Sequence, residues 1–129
     1  MTASALILLI EDEHSLRQFV ARHLRDEGYD VAEADTAEVA EAKIRAGLRP
    51  VLVLLDLNLP GDTGWDFLRG PAIALAGTPP VVITTATTVS PKRLADFGVA
   101  GYLPKPFPLE TLASTVSRLI AGQRSAPAR

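Results

Sequence analysis

Three short apolar runs, Leu6–Ile10, Val51–Leu55 and Val81–Ile83, contain no polar residue, and each is followed at once by acids or hydroxyls. A strand with one wet face alternates apolar and polar side chains, whereas a strand covered on both faces does not. The runs therefore read as central strands of a parallel sheet with helices on each side.

Helical patterns fill the gaps. Leu16, Phe19, Val20 and Leu24 mark one face of a first helix that should end near Gly28. Asp35 with Glu38 has the spacing of a capping box, opening a second helix that carries Ala40 and Ile44 to about Ala46. A third helix should start near Gly64 and stop early at Gly70-Pro71. Ser90-Pro91 predicts the N-cap and first residue of a fourth helix running to about Phe97. Leu109, Leu112, Val116, Leu119 and Ile120 give a fifth helix its apolar stripe. Five strand–helix units in alternation imply a doubly wound α/β fold with right-handed crossovers. The expected architecture is the flavodoxin-like (βα)5 parallel sheet of five strands in the order 2-1-3-4-5, with the ligand site beyond the strand ends between the first and third strands.

Length and composition narrow the classes. The 129 residues make one domain, read as residues 1–122 followed by a flexible tail at 123–129. A hydrophobic share of 47% excludes a disordered chain, and a net charge of −2 gives no basic surface for direct nucleic-acid binding. Without cysteine there are no disulfides or thiolate metal sites. The run at Leu6–Ile10 is too short to span a bilayer, so a cytoplasmic protein without a membrane partner is expected.

The strand ends carry the chemistry. Glu11 and Asp12 close the first run, Asp56 the third strand and Thr85 the fourth, while Lys105 lies just past the fifth strand. Crowded carboxylates repel one another and either hold a proton or bind a cation. Magnesium suits hard oxygen ligands and leaves positions open for water and phosphate. Asp56 is placed to attack phosphorus and hold the phosphoryl group as an acyl phosphate. Transfer then needs the phosphoryl oxygens neutralised, by the metal, the Lys105 ammonium and the Thr85 hydroxyl. Alternation along the strand selects Thr85 over Thr84 for that position.

These residues resemble a response-regulator receiver domain, the phosphoacceptor of two-component signalling. The strings that carry the resemblance are Ile10-Glu11-Asp12-Glu13, Leu54 to Pro60 with Gly64 beyond, Thr84-Thr85-Ala86, and Tyr102-Leu103-Pro104-Lys105-Pro106-Phe107. The resemblance implies that Asp56 is the phosphorylated residue. Asp12, Asp56 and the Asn58 backbone carbonyl would ligate magnesium, with Glu11 helping through water. Thr85 and Lys105 would bind the phosphoryl group, and the Lys105–Pro106 bond would be cis. Tyr102 would report phosphorylation, with Thr85, to a face made by the fourth helix, fifth strand and fifth helix. The implied partners are a histidine kinase or histidine phosphotransfer protein, a downstream protein target, and a second copy in a phosphorylation-dependent homodimer.

Such a domain is not an enzyme in its own right. No output segment follows the last helix in this sequence, so signalling by protein contact is expected, with a fragment of a hybrid kinase or a phosphate sink as alternatives. Glu11 stands where aspartate is more usual, and the stretch from Thr85 to Lys105 is slightly short. A cofactor-binding enzyme of similar topology lacks support, because no glycine-rich phosphate cradle occurs. A third reading is an interaction module that has lost phosphorylation, hinted at only by Glu11. Trp65 is expected to pack at the start of the third helix, and His14 and His23 to have no chemical role.

Overall fold

The computed structural model describes residues 4–125. Strands β1 (Leu6–Ile10), β2 (Asp30–Ala34), β3 (Leu52–Asp56), β4 (Val81–Thr85) and β5 (Gly101–Pro104) form one all-parallel sheet in the order β2-β1-β3-β4-β5. The helices are α1 (His14–Asp26), α2 (Ala37–Arg45), α3 (Gly64–Arg69), α4 (Ala72–Leu75), α5 (Pro91–Asp96) and α6 (Leu109–Ser125). This is the expected doubly wound order.

The apolar runs are explained by two cores, one on each face. Ile7, Leu9, Leu52, Leu54 and Val82 pack with Val20, Ala21 and Leu24 of α1 and with Leu112, Val116 and Ile120 of α6. Leu8, Ile10, Val53, Leu55 and Val81 pack with Ala37, Ala40 and Ile44 of α2, Phe67 of α3 and Ala72 of α4. Side chains alternate between faces, and both faces are dry.

Four local details differ from the sequence expectations. The N-cap of α2 is Thr36, whose hydroxyl accepts the Val39 N–H at 3.0 Å; Asp35 makes no capping box. The sequence spacing fitted either start, and the hydroxyl was one residue closer to the helix. Gly70-Pro71 divides the third helical segment in two, because Pro71 has no N–H to continue the ladder, so six helices replace the expected five. Phe19, placed by periodicity on the buried face of α1, is 57% exposed, the stripe having turned toward Val20, Ala21 and Leu24. The last helix continues to Ser125, and the Gln123 amide donates to the Val51 carbonyl at 2.8 Å. The rest of the expected tail, residues 126–129, lies outside the described residues. Among the described residues no helix is long and apolar enough to cross a membrane.

Strand register delivers the site. The β1–β3 ladder ends with Ile10 opposite Leu55, so Glu11 and Asp56 emerge side by side. Asp56 pairs with Thr84 across β3–β4, and Thr85 pairs with Pro104 across β4–β5, so Lys105 leaves the sheet beside Thr85. The Lys105 N–H donates to the Thr85 carbonyl at 2.9 Å and fixes that exit.

Candidate functional site

The carboxylates of Glu11, Asp12 and Asp56 present oxygens that all lie within 4.8 Å of one another. Glu11 and Asp56 are each only 3% exposed, while Asp12 faces solvent. The Lys105 ammonium lies between the two buried acids, 2.5 Å from Glu11 Oε1 and 3.1 Å from Asp56 Oδ2. Residues 94 and 49 positions away in the chain are thus joined at one nitrogen. The Lys105–Pro106 peptide bond is cis, as the sequence resemblance implies.

Every remaining carboxylate oxygen of the buried pair is held. Asp56 Oδ1 accepts the Asn58 N–H at 3.1 Å, and Glu11 Oε2 accepts the Glu13 N–H at 3.1 Å. Burial pushes the Glu11 carboxyl above its usual value; the Lys105 hydrogen bond opposes the rise and the Asp56 charge adds to it. For Lys105 burial alone would lower the value, but the bonds and charges of Glu11 and Asp56 outweigh it and hold the ammonium above its usual range. The lysine therefore stays charged across the physiological range.

The three acids fit a divalent cation of the magnesium type. They offer hard oxygens, one from each residue within 4.8 Å of the other two, and open to water through Asp12. Three carboxylates against one ammonium also leave a formal local charge of −3 + 1 = −2, which a divalent ion balances.

Thr85 is fully buried at the end of β4. Its hydroxyl oxygen accepts from Asn58 Nδ2 at 3.2 Å and from the Thr87 N–H at 3.2 Å. Both lone-pair positions are thus filled, and the hydroxyl proton is left to donate. Thr84, also buried, faces away from these partners in the alternation of the strand. Tyr102 is half-buried, and its phenol donates to the Thr87 carbonyl at 3.2 Å. The Thr87 peptide is therefore held at one end by Thr85 and at the other by Tyr102.

Sequence reasoning overlooked three participants. The Asn58 side chain, assigned only a carbonyl role, bridges Thr85 and the Thr87 hydroxyl, the latter at 2.9 Å. Thr87 lies in the stretch from Thr85 to Lys105, which the sequence marks only by its length. Arg17 donates to the Glu11 carbonyl at 3.0 Å and to Glu33 at 3.2 Å, which anchors the β1–α1 turn. The signal for Asn58 and Thr87 was their place two residues after Asp56 and Thr85; nothing in the sequence marked Arg17. His14 contacts Arg17 at 3.1 Å and His23 lies 3.8 Å from Glu27, and neither is paired with Glu11, Asp12 or Asp56.

Comparison with known proteins follows the same lines. The family model for the response regulator receiver domain matches residues 7–117. The chain is 40% identical over 115 residues to the DNA-binding response regulator MtrA of Mycobacterium tuberculosis, covering 88% of this chain and 50% of that protein. It is 34% identical over 105 residues to the KDP operon transcriptional regulatory protein KdpE of Escherichia coli, covering 78% of this chain and 44% of that one. The chain thus spans about half the length of the curated relatives it matches. Among solved structures, the chemotaxis protein CheY4 of Vibrio cholerae superposes with a TM-score of 0.81 at 33% identity, covering 91% of this chain and 99% of that one. Strand order, acid cluster and sequence similarity agree, and the chain belongs to the response-regulator receiver domain family of two-component signalling proteins.

Proposed function

We propose that Asp56 accepts a phosphoryl group from a phosphohistidine donor, and that the observation carrying this reading is the Lys105 ammonium held 3.1 Å from Asp56 Oδ2 inside an acid cluster. An Asp56 carboxylate oxygen forms a bond to phosphorus as the bond from phosphorus to the donor nitrogen breaks, its electron pair returning to the imidazole ring. Lys105, already next to the attacking carboxylate, covers charge on one phosphoryl oxygen, and the free proton of Thr85 bonds to another. Glu11, Asp12, Asp56 and the Asn58 carbonyl would hold magnesium, which when bound supplies the remaining charge neutralisation. Glu11 in this reading also keeps Lys105 in place before the donor arrives.

A protein donor is supported by the surface beside the site. An apolar groove of 320 Å³ is lined by Leu16 and Phe19 of α1, by Phe107 and Leu109, and by Lys105 itself. A histidine kinase or phosphotransfer protein that seats an apolar side chain there would bring its histidine toward Asp56. Signal output is assigned to the α5-β5-α6 face, through Thr85, the Thr87 peptide and Tyr102. DNA binding, a property in the name of MtrA, is not assigned to this domain.

The test is intact-mass measurement after incubation with acetyl phosphate. With magnesium the protein is expected to gain one phosphoryl mass that is lost in base, and with a chelator in place of magnesium the gain falls to background. Full gain in the chelator would remove the metal from the reading, and no gain in either condition would overturn the phosphoacceptor reading.

A further inference from the structure

Helix α5 fully buries none of its own residues and only Leu94 is half-buried, so the deep hydrophobic burial that seats the longer helices is missing there. A stack of rings and guanidinium groups lies between it and α3. The rings of Trp65 and Phe97 lie 4.7 Å apart, centroid to centroid, tilted by 37°. The Arg93 guanidinium lies 4.5 Å from the Trp65 centroid and 5.9 Å from that of Phe97. Arg69 covers the Phe97 ring at 5.4 Å. Trp65 and Arg69 come from α3, Arg93 from α5, and Phe97 is the C-cap of α5. Among the described residues Arg93 has no carboxylate partner, so the aromatic faces are what its charge meets.

The other end of this stack rests on the strand that carries Asp56. The Gly64 N–H donates to the Leu57 carbonyl at 3.1 Å. A Cβ at Gly64 would lie 2.5 Å from the Asp56 carbonyl oxygen and 2.8 Å from Leu57 Cα, so backbone meets backbone with no side chain between. The absence of a Cβ lets the two backbones approach, and the hydrogen bond ties them together. A shift of the Asp56–Leu57 backbone must carry Gly64 with it, and Trp65 is the next residue.

We propose that the Trp65–Arg93–Phe97–Arg69 stack is the clamp that seats α5, and that it links α5 to Asp56 through Gly64 by a route separate from Thr85 and Tyr102. The clamp follows from the geometry of the unmodified protein; the link rests on the reading of Asp56 as phosphoacceptor. Of the helices bordering the site, α5 has the shallowest hold and takes up a displacement most readily.

Trp65 is the single tryptophan of the chain, so its emission reports the stack directly. Arg93→Ala is expected to change that emission and to speed hydrogen exchange at the Leu94, Phe97 and Val99 amides, which donate within and just after α5, by about three- to tenfold. Arg93→Lys, which keeps a cation but loses the planar group, should fall between. In the wild type with magnesium and acetyl phosphate, Trp65 emission and α5 exchange should change in step with the gain in mass, and Arg93→Ala should uncouple them. Wild-type emission and exchange in unmodified Arg93→Ala would overturn the clamp. A mass gain with unchanged Trp65 emission would overturn the link alone. No mass gain would overturn the phosphoacceptor reading and the link with it, while the unmodified variants still decide the clamp.

Discussion

Asp56→Asn is expected to abolish phosphoryl gain from acetyl phosphate, lowering its rate by at least about a thousandfold, the scale on which loss of a nucleophile acts. The amide is nearly isosteric and keeps a carbonyl oxygen for the Asn58 N–H, so the strand end is preserved. It lacks the charge and the nucleophilic lone pairs that attack phosphorus. The Lys105 ammonium retains Glu11 as its partner, and the domain should remain folded with a stability change within about 1 kcal/mol. Intact mass and a denaturant melt check the two halves together. A variant that gains the phosphoryl mass at the wild-type rate would place the acceptor elsewhere.

Lys105→Ala should act on both chemistry and stability. Without the ammonium one phosphoryl oxygen loses its charge partner, and transfer should slow by about 10²- to 10³-fold. Glu11 and Asp56, both buried, then face each other without a cation between them. Removing one partner of a fully buried ion pair costs about 3–5 kcal/mol. The Lys105 side chain is 18% exposed and the site opens to water, so about 1–3 kcal/mol is expected at neutral pH.

The sign of the pH dependence follows from Glu11. Its carboxyl in the folded protein already titrates above the ordinary 4.5, chiefly through burial, so ionised Glu11 opposes folding. That penalty is absent below 4.5 and appears as pH rises through the folded value. Loss of Lys105 removes the hydrogen bond that restrains the rise and widens the window. The deficit of Lys105→Ala should therefore be greatest at neutral pH and shrink toward pH 4.5, as denaturant melts at several pH values would show. An equal deficit at every pH would mean that the lysine contributes packing and not charge.

The parts of this molecule that could be read from sequence are those where one physical constraint dominates. The strands β1, β3 and β4 are dry on both faces and leave almost no freedom in residue type, so their runs stand out. Edge strand β2 mixes Asp30, Glu33 and small apolar residues at intermediate burial and gives no comparable signal. Asp12, Asp56, Thr85 and Lys105 were legible because they sit at fixed offsets from the strand ends, and register then brings them together. The α2 cap was read one residue early because aspartate and threonine both cap well and stand side by side. Partners distant in sequence, such as Asn58 with Thr87 or Trp65 with Arg93, depend on how two loops or two helices meet beyond the strands. No local pattern encodes such a meeting. The same holds for Glu11: its extra methylene was visible, but its reach to the Lys105 ammonium was not.

The central claim is that the carboxylate facing Lys105 is where phosphorus becomes bound. Borohydride reduces an acyl phosphate to the alcohol, so treating the acetyl phosphate-modified protein and mapping its peptides by mass identifies the acceptor. The expected result is a single reduced position, residue 56, dependent on magnesium. Reduction at Glu11 or Asp12 with residue 56 intact would contradict it.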